Sequence, residues 1–195
     1  MSVTKPDRHI WGYVSTPAPS QAVSASVSSI RGASVTIHYD RELYGSWIDK
    51  DGDCQNQRHE LLIALSTGPI RYSDDGCRAV HGRWNDPYTG RIFTDSGDMG
   101  VDHIVPLAWA HVNGAERWDS KKRRTFANDP VNLMAVDARE NRSKGARAPT
   151  DWMPSNAVYH CQYVLRLQRI VLKYGLIPSE ARKAELSSVR ARVCS

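Results

Sequence analysis

The chain has 195 residues, of which 41% are hydrophobic and 24% are charged, and its formal net charge is +5. This composition is typical of a soluble globular protein and excludes a disordered or fibrous chain. No apolar run reaches the ~20 residues that a membrane-spanning helix needs, so we expect no membrane partner.

The charges are unevenly distributed along the chain. Residues 36–105 carry seven basic and twelve acidic side chains, whereas residues 117–147 carry nine and four, and residues 160–195 carry seven and two. A basic half favours a polyanionic partner. A pair of solvated helix faces would give the same pattern.

The first elements suggest an arm followed by a small sheet. Residues 1–33 are rich in Ser, Ala, Val and Pro and predict a flexible N-terminal arm, so that one globular domain spans 34–195. A short strand is expected near Val35, and further strands at 69–72 and 77–84, with another near 91–94. The first residues do not show the basic stretch followed by an apolar stretch that is typical of a signal peptide. The localisation therefore stays open between secretion and the cytoplasm of a phage host.

An acidic segment precedes the first helix. Asp49, Asp51, Asp53 and Glu60 have the first, third, fifth and twelfth offsets of a calcium-binding loop, but the glycine stands fourth rather than sixth. An acidic turn that opens a helix is the simpler interpretation. That helix would contain Leu61, Leu62 and Leu65.

The second half is predicted to be mainly helical. Helices are expected at Leu107–Val112 and Ser120–Ala127, and a longer one from about Asn156 to Tyr174, ended by Gly175. Pro178-Ser179 would open a last helix that ends near Arg192. On the long helix, the expected apolar face consists of Val158, Cys161, Leu165 and Leu172.

Four widely spaced cysteines, at positions 54, 77, 161 and 194, do not have zinc-knuckle spacing. Two disulfides are expected if the protein works in an oxidising compartment. Three connectivities exist, of which local pairing (Cys54 with Cys77, Cys161 with Cys194) is our preferred hypothesis. Four free thiols in a cytoplasmic protein are the alternative.

The segment from Asp102 onwards carries the most specific chemistry. Hydrolysis of a phosphodiester needs a base for water and a cation for the phosphoryl oxygens. Asp102 offers a hard oxygen ligand suited to Mg²⁺ or Mn²⁺, and His103 is the adjacent candidate base. Neighbouring residues of a strand point to opposite sides, so both can serve one site only if the strand twists or ends there.

The stretches VDHIVPLA and NLMAVDARENRSKG resemble the HNH, or ββα-metal, nuclease motif. The spacing of Asn132 and Asn141 is similar to that in the HNH domains of RNA-guided nucleases and some homing endonucleases. The resemblance implies that Asp102 and Asn141 ligate one divalent cation, Mg²⁺ or otherwise Mn²⁺, and that His103 is the general base. It also implies that Asn132 braces the loop carrying His103 through hydrogen bonds from its side chain to the backbone.

A wider likeness covers roughly residues 38–175. It includes YGSWIDKDGDCQNQRHELL, GRWNDPYTG and FANDPVNL, and resembles compact HNH nucleases of secreted actinobacterial proteins and phages. On this likeness alone, Arg58 and Glu60 would support the site's scaffold. Residues Ala108–Pro130 form an insertion relative to minimal HNH motifs and must fold outward as helices if Asn132 is to brace His103.

These observations predict an α+β protein, with a small antiparallel sheet and a ββα-metal motif flanked by helices. The expected function is endonucleolytic hydrolysis of DNA, with RNA as an alternative substrate, by a monomer. Arg142 and Lys144 follow Asn141 and are expected to contact phosphate, although they could be only solvated charges. A DNA-binding module of the same fold without catalytic activity is the alternative function.

Overall fold

The computed structural model describes residues 24–28 and 34–195, which form an α+β structure with small antiparallel sheets flanked by helices. Two strands, β1 and β2, pair with each other; β3, β4 and β5 form a three-stranded sheet; β6 and β7 form a ribbon. The strands are β1 Ser24–Ser28, β2 Ser34–His38, β3 Arg71–Tyr72, β4 Ala79–Asn85, β5 Ile92–Asp95, β6 Met99–His103 and β7 Leu133–Asp137. The helices are α1 Gln57–Leu65, α2 Leu107–Val112, α3 Ser120–Asn128, α4 Ala138–Lys144, α5 His160–Tyr174 and α6 Glu180–Val193.

The β6–β7 ribbon is central to the molecule. Its register runs from Met99 opposite Asp137 to His103 opposite Leu133. Every residue of β7 is buried, because both faces of the ribbon are covered, and a strand covered on both faces loses the alternation of polar and apolar residues. The Asp137 side chain then accepts a hydrogen bond from Arg139 N at 2.6 Å and caps α4, so the order strand, strand, helix is complete.

The segment between β6 and β7 folds as helices, as its length required. Helix α2 is buried in the main core, whereas only the last three residues of α3, Phe126, Ala127 and Asn128, are buried. Asp119 caps α3, its Oδ1 accepting from Lys122 N at 2.6 Å. The rest of α3 therefore projects charged side chains into solvent.

Helix α5 differs from the sequence prediction in its start and its buried face. Asn156 caps a short 3-10 turn, so α5 begins at His160. The predicted face was wrong: Val158 is 90% and Leu172 is 79% exposed. A second stripe at helical spacing packs into the core instead, and because it is rich in large aromatic and branched side chains it buries more apolar surface. Its members are Tyr163, Val164, Leu167, Ile170 and Tyr174.

Both ends of the α5–α6 connection follow the predicted capping. Gly175 ends α5 in the left-handed conformation, with φ of 64°, and Ser179 caps α6 by accepting from Arg182 N.

The preferred cysteine pairing is confirmed: disulfides join Cys54 to Cys77 and Cys161 to Cys194. The second bond ties the start of α5 to the end of α6.

Most of the predicted N-terminal arm, 1–33, lies outside the described residues; within it, Ser24–Ser28 pairs with β2. Among the described residues, no helix combines the length and the apolar character needed to cross a membrane.

Candidate functional site

His103 ends strand β6 with its ring tied to a distant backbone group. The Nε2 atom lies 2.9 Å from the carbonyl oxygen of Ala127, the penultimate residue of α3. A carbonyl can only accept, so Nε2 carries the proton and Nδ1 keeps the lone pair. Burial, together with the charges of Arg41 and Lys144, lowers the pKa of His103 to about 3, although the bond to Ala127 opposes this shift. The imidazole is therefore neutral at pH 7.

Trp47 covers one face of this imidazole. The two ring centroids are 5.6 Å apart and the planes differ by 6°, which is a stacked arrangement. Asn128 fixes the chain on both sides of Trp47: its Oδ1 accepts from Ile48 N at 3.0 Å and its Nδ2 donates to Ser46 O at 3.3 Å. No pattern in the sequence indicated this contact, because residues 47 and 103 lie far apart along the chain.

Asp102 points to the opposite face of β6 and is buried. Tyr88 donates its hydroxyl to Asp102 Oδ2 at 2.5 Å, and the Lys144 ammonium contacts the same oxygen and also donates to His103 O at 2.5 Å. Burial raises the pKa of Asp102 and lowers the pKa of Lys144, while their mutual contact opposes both shifts. The ion pair is thus maintained by direct contact against the cost of burial.

Asn141 and Lys144 share the face of α4 that packs on the ribbon, since they are three residues apart. A β-carbon added at Gly100 would meet Asn141 Nδ2 at 3.1 Å, so the Asn141 amide lies over residue 100. Positions 100 and 102 are on one face of the strand. The structure therefore brings Asp102, Asn141 and Lys144 to the same side of β6, with Asn141 and Asp102 not hydrogen-bonded to each other.

The oxygen ligands on this side of β6 are compatible with a divalent cation. Both hydrogen bonds to Asp102 converge on Oδ2, and no described residue donates to Oδ1. A carboxylate oxygen and an amide oxygen are hard ligands of the kind that Mg²⁺ prefers. Lys144 already supplies one positive charge here, so a metal would share Asp102 with an ammonium group.

Asn132 makes the hydrogen bonds expected of a brace. Its Oδ1 accepts from Val105 N at 2.8 Å and its Nδ2 donates to Val105 O at 3.2 Å, while its own carbonyl accepts from Ile104 N at 2.8 Å. These bonds hold the two residues that follow His103 against the start of β7. The insertion therefore does not separate Asn132 from this loop.

The two residues expected to contact phosphate differ. Arg142 is exposed, whereas the Lys144 side chain is completely buried and its ammonium faces Asp102. Lys144 would reach a phosphate only by leaving that position.

The acidic segment and Arg58 lie outside this centre. The carboxylates of Asp49, Asp51 and Asp53 are exposed, with oxygens within 4.8 Å of one another. Arg58 donates through Nη2 to Ser96 O at 3.1 Å and Met99 O at 3.3 Å, so it fixes the beginning of β6.

Comparison with known proteins assigns the family. The family described as "GmrSD restriction endonucleases, C-terminal domain" matches residues 57–189, which include every predicted site residue. An "Uncharacterized secreted protein" of Arthroderma benhamiae is 32% identical over 182 residues, covering 89% of this chain and 88% of that protein. No solved structure matches. The chain therefore belongs to the family of the C-terminal domain of GmrSD restriction endonucleases, a nuclease-related family.

Proposed function

We propose that the chain is an HNH endonuclease that hydrolyses phosphodiester bonds in DNA. His103 is the general base, and Asp102 with Asn141 holds one divalent cation, preferably Mg²⁺. The observation that carries the proposal is the contact of His103 Nε2 with Ala127 O, which places the lone pair of the neutral imidazole on Nδ1.

In this mechanism His103 Nδ1 removes a proton from water. The resulting hydroxide forms a bond to phosphorus while the bond to the 3′ oxygen breaks, which leaves a 5′ phosphate. When bound, the cation supplies positive charge that stabilises the phosphoryl oxygens in the transition state. Trp47 and Ala127 restrict the ring of His103 to one orientation, which lowers the entropic cost of the reaction.

The remaining residues of the site are assigned supporting roles. Asn132 braces the loop after His103 through its two bonds to Val105. Tyr88 and Lys144 orient the Asp102 carboxylate. Arg142, which is exposed, contacts phosphate.

Plasmid nicking by purified protein, with Mg²⁺, with Mn²⁺ or with EDTA, tests the proposal. Replacing His103 by Ala is expected to lower the cleavage rate by about 10²–10⁴-fold and to leave DNA binding unchanged. His160→Ala is the matched control, because His160 also bonds a backbone carbonyl through Nε2, at 2.7 Å from Pro154 O. A His103→Ala protein with full activity would refute the base assignment.

The same assay separates the enzyme from its alternative. A DNA-binding module without catalytic activity would bind the plasmid but leave it intact with either metal.

Secretion is proposed from two observations: both disulfides need an oxidising compartment, and the fungal relative is described as secreted.

A further inference from the structure

We infer that helix α3 and the turn around Gly45 form a DNA-backbone-binding surface that extends directly from His103. We call it the α3 surface and define it by Arg41, Lys121 and Arg124. The inference rests on the proposed nuclease function and adds to it the place where the DNA strand next to the scissile phosphate is held.

The charge of α3 is concentrated and uncompensated. Four consecutive residues, Lys121 to Arg124, are basic, and the helix contains no acidic residue. Arg123 is used internally, since it donates to Ala115 O and Glu116 O, and Lys122 lies over the Trp118 ring. Lys121 and Arg124 are exposed and form no ion pair with any described residue.

This arrangement does not help the helix itself. Cations in the first turns of a helix oppose its macrodipole, and adjacent like charges repel. Exposed cations that lower local stability and form no ion pair with described residues are expected where an external polyanion supplies the compensating charge.

The spacing of the exposed cations places them on one face. Lys121 and Arg124 are three residues apart, so they are neighbours on the helix surface. The Arg124 side chain packs against Gly45, with its Cγ 3.6 Å from the position of an added β-carbon. Arg41 donates through Nη1 to Gly45 O at 2.7 Å. The two guanidinium-bearing side chains therefore meet at this glycine, whose φ of 68° keeps the turn tight.

The α3 surface is linked to the candidate base by short contacts. Asn128, one helical turn beyond Arg124, accepts from Ile48 N and donates to Arg124 O at 3.0 Å. Ala127, the residue before Asn128, accepts from His103 Nε2, and Arg41 reaches the same surface through its bond to Gly45 O. A DNA strand with one phosphate at His103 would therefore present its neighbouring phosphates to Arg124, Arg41 and Lys121. Base-independent contact with the phosphate backbone is the chemistry that such a surface provides.

The test measures the binding of a labelled DNA duplex in EDTA, where no metal-dependent cleavage occurs, over a range of NaCl concentrations. The double variant Lys121→Gln/Arg124→Gln is expected to lower the affinity about tenfold at 0.1 M salt and to reduce the slope of log K against log[salt] by about 2. Arg190→Gln/Arg192→Gln, which removes the same charge from exposed positions on α6, is expected to change both by much less. Lys121→Gln alone, at an exposed position, serves if the double variant does not fold.

The outcomes separate this inference from the nuclease proposal. An unchanged affinity and salt slope in the double variant, or an equal loss in the α6 variant, would overturn the α3 surface whatever the cleavage assay gives. A selective loss of binding supports it. If the wild-type protein also fails to nick plasmid with either metal, that result overturns the nuclease proposal alone.

Discussion

Asn132 satisfies two buried backbone groups with one amide. Its side chain is completely buried and pairs with both the N–H and the C=O of Val105, which have no other partner in a strand or helix. Asn suits the position because one planar amide offers a donor and an acceptor side by side. Asp would lose the donor, and Leu would leave both backbone groups unsatisfied.

Replacing Asn132 by Ala should therefore lower the free energy of unfolding by about 2–3 kcal/mol, because two buried polar groups lose their partners. Urea denaturation of the purified protein measures this. Asn85→Ala is the control, since Asn85 is exposed and accepts only a 3.5 Å bond from Arg83. Equal stability of the two variants would show that the loop after His103 does not depend on Asn132.

Lys144 and Asp102 form an ion pair with side chains only 0% and 5% exposed. Removing one partner of such a pair leaves a buried charge, whereas removing both does not. The stability of the site should therefore depend on the two residues together.

A double-mutant cycle tests this coupling. Lys144→Met should cost about 3 kcal/mol of unfolding free energy, and Lys144→Met/Asp102→Asn should cost less than the sum of the single changes. The matched control is Lys173→Met, which breaks the pair with Asp129, where the Lys173 side chain is 48% exposed; its expected cost is about 1 kcal/mol or less. Additive effects at Lys144 and Asp102 would contradict a coupled pair.

Among the elements, α6 depends most on a covalent constraint. Its buried residues are only Leu186 and Val189, which is a small apolar contact for fourteen residues. The disulfide from Cys161 to Cys194 holds its last residues against α5. The bond restricts the unfolded chain over a separation of 33 residues and compensates for the small contact.

Replacing both Cys161 and Cys194 by Ala should lower the free energy of unfolding by about 3 kcal/mol and increase amide hydrogen exchange in α6 more than elsewhere. The corresponding change at Cys54 and Cys77 is the comparison, because that bond lies far along the chain from α6. If α6 remained protected in the first variant and not in the second, the role given to the disulfide would be wrong.

At the scale of the whole molecule, local signals and the cysteine pairing were predictable, whereas most other long-range contacts were not. Helix caps at Ser179 and Gly175, the helices of the insertion and the α+β class follow from patterns within a few residues. Strand β7 lacks alternation because it is buried on both faces, so its periodicity does not identify it. The buried side of α5 could not be predicted because two apolar stripes share the same spacing.

In the candidate site, too, some residues could be predicted from the sequence and others could not. Asp102 and His103 were proposed from their residue types, and Asn141 from the resemblance of one segment to the HNH motif. Trp47 and Tyr88 come from other segments, and no local pattern connects an indole to an imidazole more than fifty positions away. The burial of Lys144 was also unpredictable, because a lysine in a charged helix is usually solvated.

The bond between His103 and Ala127 makes one helix responsible for two tasks at once. A shift of α3 as a unit would move the Ala127 carbonyl and the exposed cations together, so the ring orientation and the proposed phosphate contact would change together. Engineered exchange of this segment would thus have to keep the final turn of α3, Arg124–Asn128, intact. Chimaeras that exchange only the exposed charges of α3 would alter the proposed phosphate contact while leaving the Ala127 carbonyl, and with it the imidazole, in place.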